Sequence, residues 1–186
     1  MCGMVIQTPS EELIGDGVTL RRWRADQAPL VHRAVNESLD HLAPWMPFAV
    51  GGYTLADGET FLKRCADEWD QGLNFNYSIR AADAPADGAV AGSCGIMSRP
   101  EDGVEIGYWL HVAYTGRGLA THATAALVAE AWRMGAAYAM IRHDEANIRS
   151  RAIPERLGFT FAERRMPTVE NDSGARIIWR LERPRA

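Results

Sequence analysis

Residues 105–121, EIGYWLHVAYTGRGLAT, decide the fold prediction for this chain. They read as a strand, a very short glycine turn and the start of a helix. Such an arrangement leaves several backbone N–H groups without partners at the start of the helix, where the positive end of the helix dipole also lies. The stretch therefore predicts a site for a phosphate or pyrophosphate group.

Two well-known glycine-rich signatures do not fit this turn. The dinucleotide signature G-x-G-x-x-G would need a third glycine where this chain has Thr121. The P-loop ending Gly-Lys-Ser/Thr is absent. Because a lone Gly-x-Gly turn is more often only a tight connection, a second motif has to support the ligand site.

That second motif is residues 147–159, NIRSRAIPERLGF. Together with residues 115–120, TGRGLA, it resembles the GCN5-related N-acetyltransferase (GNAT) superfamily. The usual motifs there are an acyl-CoA pyrophosphate loop, Arg/Gln-x-x-Gly-x-Gly/Ala, and an Asn-x-x-Ser…Leu-Gly-Phe segment. Residues 105–110, EIGYWL, and 43–48, APWMPF, resemble its ribosomal-protein-alanine acetyltransferase (RimJ/RimL-like) branch. The resemblance covers roughly residues 16–182.

Two positions depart from the family pattern. Thr115 stands where a long Arg or Gln is usual, which removes a side-chain donor but leaves the backbone amides. Arg117 either supplies the missing positive charge or is a solvated surface residue. Pro154 lies inside a short predicted helix near Ser150 to Leu157; if Ser150 is the N-cap, the proline is in the fourth position and deletes one hydrogen bond.

Hydrophobic periodicity predicts the order strand, helix, helix, three strands, helix, strand, helix, strand, strand, typical of one mixed α/β layer structure. The resemblance implies an α/β (α+β) single-domain GNAT-like fold. Its mixed, mostly antiparallel sheet has six to seven strands, flanked by about four helices and splayed at the acyl-CoA site. We expect residues 1–15 to be a leader that need not be ordered and residues 16–184 to form the N-acetyltransferase domain.

Local signals place the helix ends. Asp26 is the expected N-cap of the first helix, and Thr54 with Asp57 resembles a capping pair at the start of the second. The third helix carries its apolar stripe from Leu119 to Met134 and ends at Gly135.

Composition limits the classes of partner. The formal net charge of -4 argues against nucleic acid, and no apolar run approaches the ~18 residues that span a bilayer. Cys2, Cys65 and Cys94 are odd in number and lack metal-ligand spacing. We therefore expect a cytoplasmic protein with free thiols, no metal and no membrane partner.

The resemblance implies acetyl-CoA as acyl donor and assigns roles to particular residues. A backbone N–H near Leu110 would polarise the thioester carbonyl, the Asn147 amide would hold the pantetheine arm, and the glycine turn would bind the pyrophosphate. The expected cofactor-binding residues are Leu110, His111, Val112, Thr115, Gly116, Arg117, Gly118, Leu119, Ala120, Thr121 and Asn147.

Acyl transfer to an amine requires loss of an amine proton, stabilisation of the carbonyl oxygen and protonation of the CoA thiolate. Ser150 is the candidate proton donor to the thiolate; it also fits a helix N-cap, a role that does not exclude the first. Glu105 is a candidate base acting through water, or a surface or ion-paired carboxylate. Glu170, in a loop between the last two strands, is a further candidate base, and His111 could titrate near neutral pH.

Trp45 and Phe48 follow the first helix and form either a substrate wall or an apolar plug between two helices. Cys94 reads as small core packing, because direct transfer needs no acyl-enzyme.

These observations predict an acetyl-CoA-dependent N-acetyltransferase. Its acceptor is a primary amine, either a protein or peptide N-terminus or a small-molecule amine. The alternatives are a catalytically silent acyl-CoA-binding sensor or assembly module, and a nucleotide-binding regulator. A homodimer is a further expectation from the branch resemblance.

Overall fold

The computed structural model describes residues 7–84, 88–166 and 174–185. In these ranges eight strands form one sheet in the order β1-β2-β3-β4-β5-β6-β8-β7. The strands are β1 Glu12–Gly15, β2 Val18–Arg22, β3 Asn74–Ala81, β4 Gly92–Arg99, β5 Gly103–Leu110, β6 Tyr138–Asp144, β7 Thr160–Arg165 and β8 Arg176–Glu182. The helices are α1 Ala28–Asn36, α2 Leu39–Leu42, α3 Leu55–Asp70, α4 Leu119–Met134 and α5 Ile148–Arg156.

The mixed, mostly antiparallel sheet is confirmed, because β5 and β6 are the one parallel pair among the described strands. The strand count is eight instead of six to seven. The additional strand is β1, at residues 12–15, inside the segment expected to be a leader. It pairs with β2 through a two-residue turn at Asp16 and Gly17, and an Asp-Gly pair between strands is a strong hairpin signal that the sequence already contained.

The described part of the leader is also attached to α4. The amide of Ser10 donates to a carboxylate oxygen of Glu130 at 2.6 Å, and the amide of Gln7 donates to the carbonyl of Met134 at 2.9 Å. Arg133 holds both oxygens of the same carboxylate. This segment therefore packs against the domain from residue 7 onward.

Most helix ends follow their predicted signals. Thr54 and Asp57 form a capping box, in which the Asp57 amide donates to the Thr54 hydroxyl at 3.1 Å. Gly135 ends α4 with φ 98°. The first helix differs, because a 3-10 turn at Ala25–Gln27 precedes α1 and the expected cap, Asp26, lies inside that turn.

The sheet is packed on both faces. Tyr108 and Trp109 are neighbours in β5, so their side chains point to opposite faces. Tyr108 packs against the apolar cluster that includes α4, whereas Trp109 packs against the cluster built from α1 and α3. Both faces of β5 are therefore supported up to its last residues.

The sheet opens between β5 and β6. Parallel pairing joins residues 103–106 to residues 138–141 and then stops. β5 continues to Leu110, while β6 continues to Asp144 along β8. The predicted splay is therefore confirmed, and α4 is the crossover that connects the two diverging strands.

Candidate active site

A cavity of about 1160 Å³ lies where β5 and β6 diverge. The cavity is lined by the end of β5, the glycine turn with the start of α4, the end of β6, α5, and α2 with the residues that follow it. Arg176 at the start of β8 also lines it. Predicted site residues that line the cavity are Trp45, Glu105, Leu110, Thr115, Gly116, Gly118, Leu119, Ala120, Thr121, Asn147 and Ser150.

The glycine turn presents a row of backbone donors to this cavity. Gly116 and Gly118 have φ values of 74° and 77°, a left-handed region that glycine adopts at no steric cost. The N–H groups of residues 116–121 have no acceptor within the ranges that the structure describes. Together with the α4 dipole, these unpaired donors provide the groups that an anion would need here.

The side chains of Thr115 and Arg117 form hydrogen bonds with other parts of the protein. The hydroxyl of Thr115 donates to the carbonyl of Val112 at 2.9 Å. Arg117 donates to both oxygens of Asp83, at 2.7 and 2.6 Å, and lies over the ring of Tyr114. The Arg117 guanidinium holds the pKa of the Asp83 carboxyl below its usual value. Of the two readings left open by the sequence, the structure thus favours a surface role for Arg117.

One backbone amide at the end of β5 points into the splay. The amide of His111 donates to the Ala91 carbonyl at 2.9 Å, toward β4. Because N–H directions alternate along a strand, the amide of Leu110 points to the other side, where β6 has diverged. The amide of Val112 donates to the Ser38 hydroxyl at 3.0 Å. Among the three predicted residues at this strand end, Leu110 is therefore the one whose amide faces the cavity.

The side chain of His111 is a structural link. Its Nδ1 accepts from the Ala113 amide at 3.0 Å, so the proton of the neutral ring is on Nε2, which donates to Glu37 at 2.8 Å. The residue is only 8% exposed and does not line the cavity. This arrangement attaches the segment before α2 to the end of β5.

Ser150 lies one turn inside α5. Asn147 is the N-cap, because its Oδ1 accepts from the Ser150 amide at 3.0 Å. The N-cap alternative for Ser150 was therefore wrong, and its hydroxyl is free of that role. The Nδ2 group of Asn147 donates no hydrogen bond to any residue in the described part of the chain.

Tyr108 supports Ser150 from β5, a contact that the sequence analysis missed. The Tyr108 hydroxyl lies 3.0 Å from the Ser150 hydroxyl and 3.3 Å from the Ser150 carbonyl oxygen. Pro154 has no N–H to donate to that carbonyl four residues earlier, and the Tyr108 hydroxyl takes its place. Burial raises the pKa of Tyr108 to about 12, although the Ser150 hydrogen bond opposes this, so the phenol stays protonated.

Glu105 is ion-paired and buried. One carboxylate oxygen accepts from Nε of Arg99 at 2.9 Å, and the other lies 3.4 Å from Arg142. The side chain is 8% exposed. These contacts favour the ion-pair interpretation over that of a base. Glu170 lies outside the described residues.

Of the two aromatic residues predicted as a substrate wall, Trp45 lines the cavity and Phe48 does not. The Phe48 ring is 41% exposed and lies 6.2 Å from the ring of Trp109 and 6.0 Å from that of Tyr53, measured between centroids. Phe48 thus supports Trp109, which lines the cavity itself.

Two histidines that the sequence analysis passed over line the cavity, and they differ in availability. In His143 both nitrogens are bonded, since Nδ1 donates to the Asp144 carbonyl at 2.7 Å and Nε2 accepts from Trp179 at 2.9 Å. In His41 the ring has no hydrogen-bond partner among the described residues. Burial lowers the pKa of both histidines below the usual range, and in His41 the nearby charge of Arg149 adds to the effect.

Asp144, a further acidic group of the cavity, and the two described thiols also have identifiable surroundings. Asp144 accepts from Arg176 at 2.7 Å and from the Ala146 amide at 2.9 Å. Burial raises the pKa of the Cys65 thiol to about 12 and raises that of Cys94 further still. Both thiols are therefore protonated core residues, as expected for Cys94. No group of residues in the described ranges has the composition of a metal site.

Comparison with known proteins decides the family. The sequence model of the acetyltransferase (GNAT) domain matches residues 18–160. The chain belongs to this family. The match includes β2 to α5, and with them every element that lines the cavity except the last strand.

Solved structures of several acetyltransferases share the fold across almost the whole chain. MccE, a microcin self-immunity acetyltransferase in complex with acetyl-CoA and AMP, aligns at a TM-score of 0.80 and 20% identity, covering 90% of this chain and 93% of its own. RimL, a ribosomal alpha-N-protein acetyltransferase in complex with coenzyme A, aligns at 0.79 and 17%, covering 96% and 97%. RimJ from Mycobacterium smegmatis, in complex with CoA-disulfide, aligns at 0.78 and 20%, covering 95% and 88%.

A search of curated protein sequences gives no significant match. No helix in the described ranges has the length and apolar character needed to cross a membrane.

Proposed function

We propose that the protein is an acetyl-CoA-dependent N-acetyltransferase that moves an acetyl group directly to a primary amine. The observation that carries the proposal is the meeting, in one cavity, of the unpaired amides at residues 116–121, the open edge of β5 and the hydroxyl pair of Tyr108 and Ser150. Residues 16–184, with β1 added in front, form the catalytic domain in this proposal.

Three groups of the protein bind and activate the acyl donor. The amides of the glycine turn bind the pyrophosphate, because they are unpaired and lie at the positive end of α4. The open edge of β5 accepts the pantetheine arm as an added strand, and the Nδ2 group of Asn147 donates to it from the other side. The Leu110 amide, directed into the splay, stabilises the negative charge that develops on the carbonyl oxygen.

Ser150 protonates the leaving sulfur. The Tyr108 phenol is protonated and lies within hydrogen-bond distance of both the Ser150 carbonyl and the Ser150 hydroxyl. Its single proton can turn from the carbonyl to the hydroxyl while Ser150 donates to the thiolate. When the C–N bond forms and the C–S bond breaks, the electron pair of the C–S bond stays on sulfur. One proton from the attacking nitrogen replaces the proton that Ser150 gives up.

The acceptor is a primary amine of one of two kinds, a protein or peptide N-terminus or a small-molecule amine. Trp45, Met46 and Trp109 line the part of the cavity beside α2, where an amine can approach the end of β5. RimL is a protein acetyltransferase by name, which supports including N-terminal peptides among the acceptors to be tested.

The test is release of free CoA thiol by the purified protein from acetyl-CoA, with a panel of N-terminal peptides, amino acids and polyamines. The proposal predicts thiol release that depends on the amine, with the acetylated amine found by mass spectrometry. Ser150→Ala is the control, because it keeps the amides of the glycine turn. Binding of CoA without thiol release from any amine would contradict the proposal and favour a silent acyl-CoA-binding module.

A further inference from the structure

The segment that leads into α2 is fixed to the end of β5 at two consecutive residues. The Glu37 carboxylate accepts from Nε2 of His111 at 2.8 Å, and the Ser38 hydroxyl accepts from the amide of Val112 at 3.0 Å. Both contacts are made by residues directly after Leu110. The start of α2 is therefore held beside the amide that faces the cavity.

His41 lies on this short helix, three residues after Ser38, and lines the cavity. The charged and titratable groups around it come from three elements: Arg149 on α5, His111 at the end of β5, and the exposed Asp40 next to it in α2. Arg149 immediately precedes Ser150, and His111 immediately follows Leu110. His41 therefore lines the same cavity as Leu110 and Ser150.

The ring of His41 is available to accept a proton. It has no hydrogen-bond partner in the described part of the chain, so a nitrogen lone pair is free. Burial, and then the charge of Arg149, keep the pKa of His41 below the usual histidine range. The imidazole is therefore neutral at pH 7 and can act as a base.

The other titratable groups that line the cavity are less suited to this role. His143 uses both nitrogens, Glu105 is held between two arginines, and Asp144 is bonded to an arginine and a backbone amide. Asp40 is exposed, and a solvated carboxylate is a weak base for an ammonium group. Among the described lining residues, His41 is the group whose basicity matches the task.

We propose that His41 is the general base that takes the first proton from the acceptor ammonium, an inference that rests on the proposed acetyl transfer. An R–NH₃⁺ group gives one proton to the free nitrogen of His41, which passes it to water. The resulting amine attacks the thioester carbon, the C–N bond forms and the C–S bond breaks. The second proton lost by the nitrogen ends on the CoA sulfur through Ser150, so two protons leave the ammonium and one amide N–H remains.

The proposal predicts a characteristic pH dependence of kcat/KM. In the wild type, activity falls on the acid side as His41 becomes protonated, at a pH below the usual histidine range, and is flat from there to the pKa of the amine. In His41→Gln the amine has to arrive already deprotonated, so kcat/KM rises steadily with pH up to the amine pKa. At pH 7 the variant should lose on the order of 10²-fold in kcat/KM, and at alkaline pH it should approach the wild type.

The matched control is His32→Gln, because His32 is a histidine of the preceding helix, α1, and does not line the cavity. It should leave the pH profile unchanged. His41→Asn serves as a second variant, and the Kd of acetyl-CoA and the unfolding temperature should stay at wild-type values in both His41 variants. A wild-type pH profile in either His41 variant would overturn the proposal.

A direct titration of the His41 ring separates this proposal from the acetyl transfer itself. The imidazole C–H resonance, assigned by its absence in His41→Gln, should titrate below the usual histidine range in the CoA complex. A His41 ring that is protonated at pH 7 would overturn the base role even if acetyl transfer occurs. A neutral ring in a protein that acetylates no amine would instead remove the proposed function, and the base role with it.

Discussion

Replacing Gly118 by alanine should weaken acetyl-CoA binding because the residue sits in the left-handed backbone region, with φ 77°, at the N-cap of α4. An L-residue there costs about 1–2 kcal/mol, which the chain can relieve by turning the peptide units on either side. A Cβ at this position meets only the His122 ring, at 3.5 Å, so contact with neighbours adds little. The main effect should therefore be on the direction of the amides.

The expected loss can be worked from those amides. Each hydrogen bond to a charged group contributes about 1.5–3 kcal/mol, so misdirecting one amide of the turn should raise the Kd of CoA about tenfold to a hundredfold. Isothermal titration calorimetry with CoA and acetyl-CoA measures this change directly. The thermal shift caused by saturating CoA should fall in parallel.

Gly72→Ala is the matched control for backbone strain. Gly72 has φ 70°, nothing lies within 4 Å of a Cβ built there, and the residue does not line the cavity. Both variants should lose similar stability, about 2–4 °C in Tm for each kcal/mol, whereas only Gly118→Ala should lose CoA affinity. Equal CoA affinity in the two variants would refute the assignment of the glycine turn to the pyrophosphate.

Three further predictions concern catalysis, charge and stability. Ser150→Ala should lower kcat by about 10²-fold with an unchanged Kd for CoA, and Tyr108→Phe should lower kcat by a smaller factor. Steady-state kinetics measures both effects. A wild-type kcat in both variants would show that neither residue takes part in proton transfer. Arg117→Ala should change the Kd of CoA by less than about threefold, because the Arg117 guanidinium already forms an exposed ion pair with Asp83. A much larger increase in the Kd, measured by calorimetry, would show that Arg117 binds the phosphate groups. Burial raises the pKa of Glu130, but its hydrogen bonds with Arg133 and Ser10 outweigh this and keep the pKa below the ordinary value. Ionised Glu130 should therefore stabilise the fold fully above the unfolded-state pKa of about 4.3. This stabilisation should be lost as the pH falls through the folded-state pKa. Glu130→Gln should therefore be less stable than wild type at pH 7 in urea unfolding, with the gap closing at acid pH; a gap independent of pH would contradict the linkage.

The elements that carry chemistry could be predicted because each has a local signal. The turn at residues 115–118, the capping box at Thr54 and the stop at Gly135 depend on backbone geometry that only a few residue types allow, and all three appear as predicted. The splay between β5 and β6 came from the family resemblance instead. Strand β1 was missed although Asp16 and Gly17 carried its turn signal, because a four-residue edge strand has too few residues for periodicity to decide.

The side-chain roles could not be predicted in the same way, because they depend on partners far away in sequence. Glu105 forms an ion pair with Arg142, and Arg117 forms one with Asp83. His111 forms a hydrogen bond with Glu37, which is 74 residues earlier. A single sequence does not show which distant side chains will pair in the fold. His41 was passed over for the same reason, since only the contacts before α2 place it at the end of β5.

The corrected N-cap shows how the two kinds of information combine. The sequence placed Asn147, Ser150 and Pro154 on one helix start but assigned the cap to Ser150 or left it open. The structure gives the cap to Asn147, which frees the Ser150 hydroxyl for Tyr108, and Pro154 explains why the Ser150 carbonyl also accepts from that phenol. Pro154, which looked like a departure from the family pattern, thus accounts for a contact between Tyr108 and Ser150.

The central claim is that the cavity between β5 and β6 is an acyl-CoA site. The measurement that tests it most directly is a thermal-shift titration of the purified protein with acetyl-CoA, CoA, ATP and NAD, because a ligand that binds only the folded state raises the unfolding temperature. An acyl-CoA site in this cavity predicts a saturable rise with acetyl-CoA and CoA that is reduced in Gly118→Ala but not in Gly72→Ala. No rise with either CoA compound, or a larger rise with ATP or NAD, would contradict it.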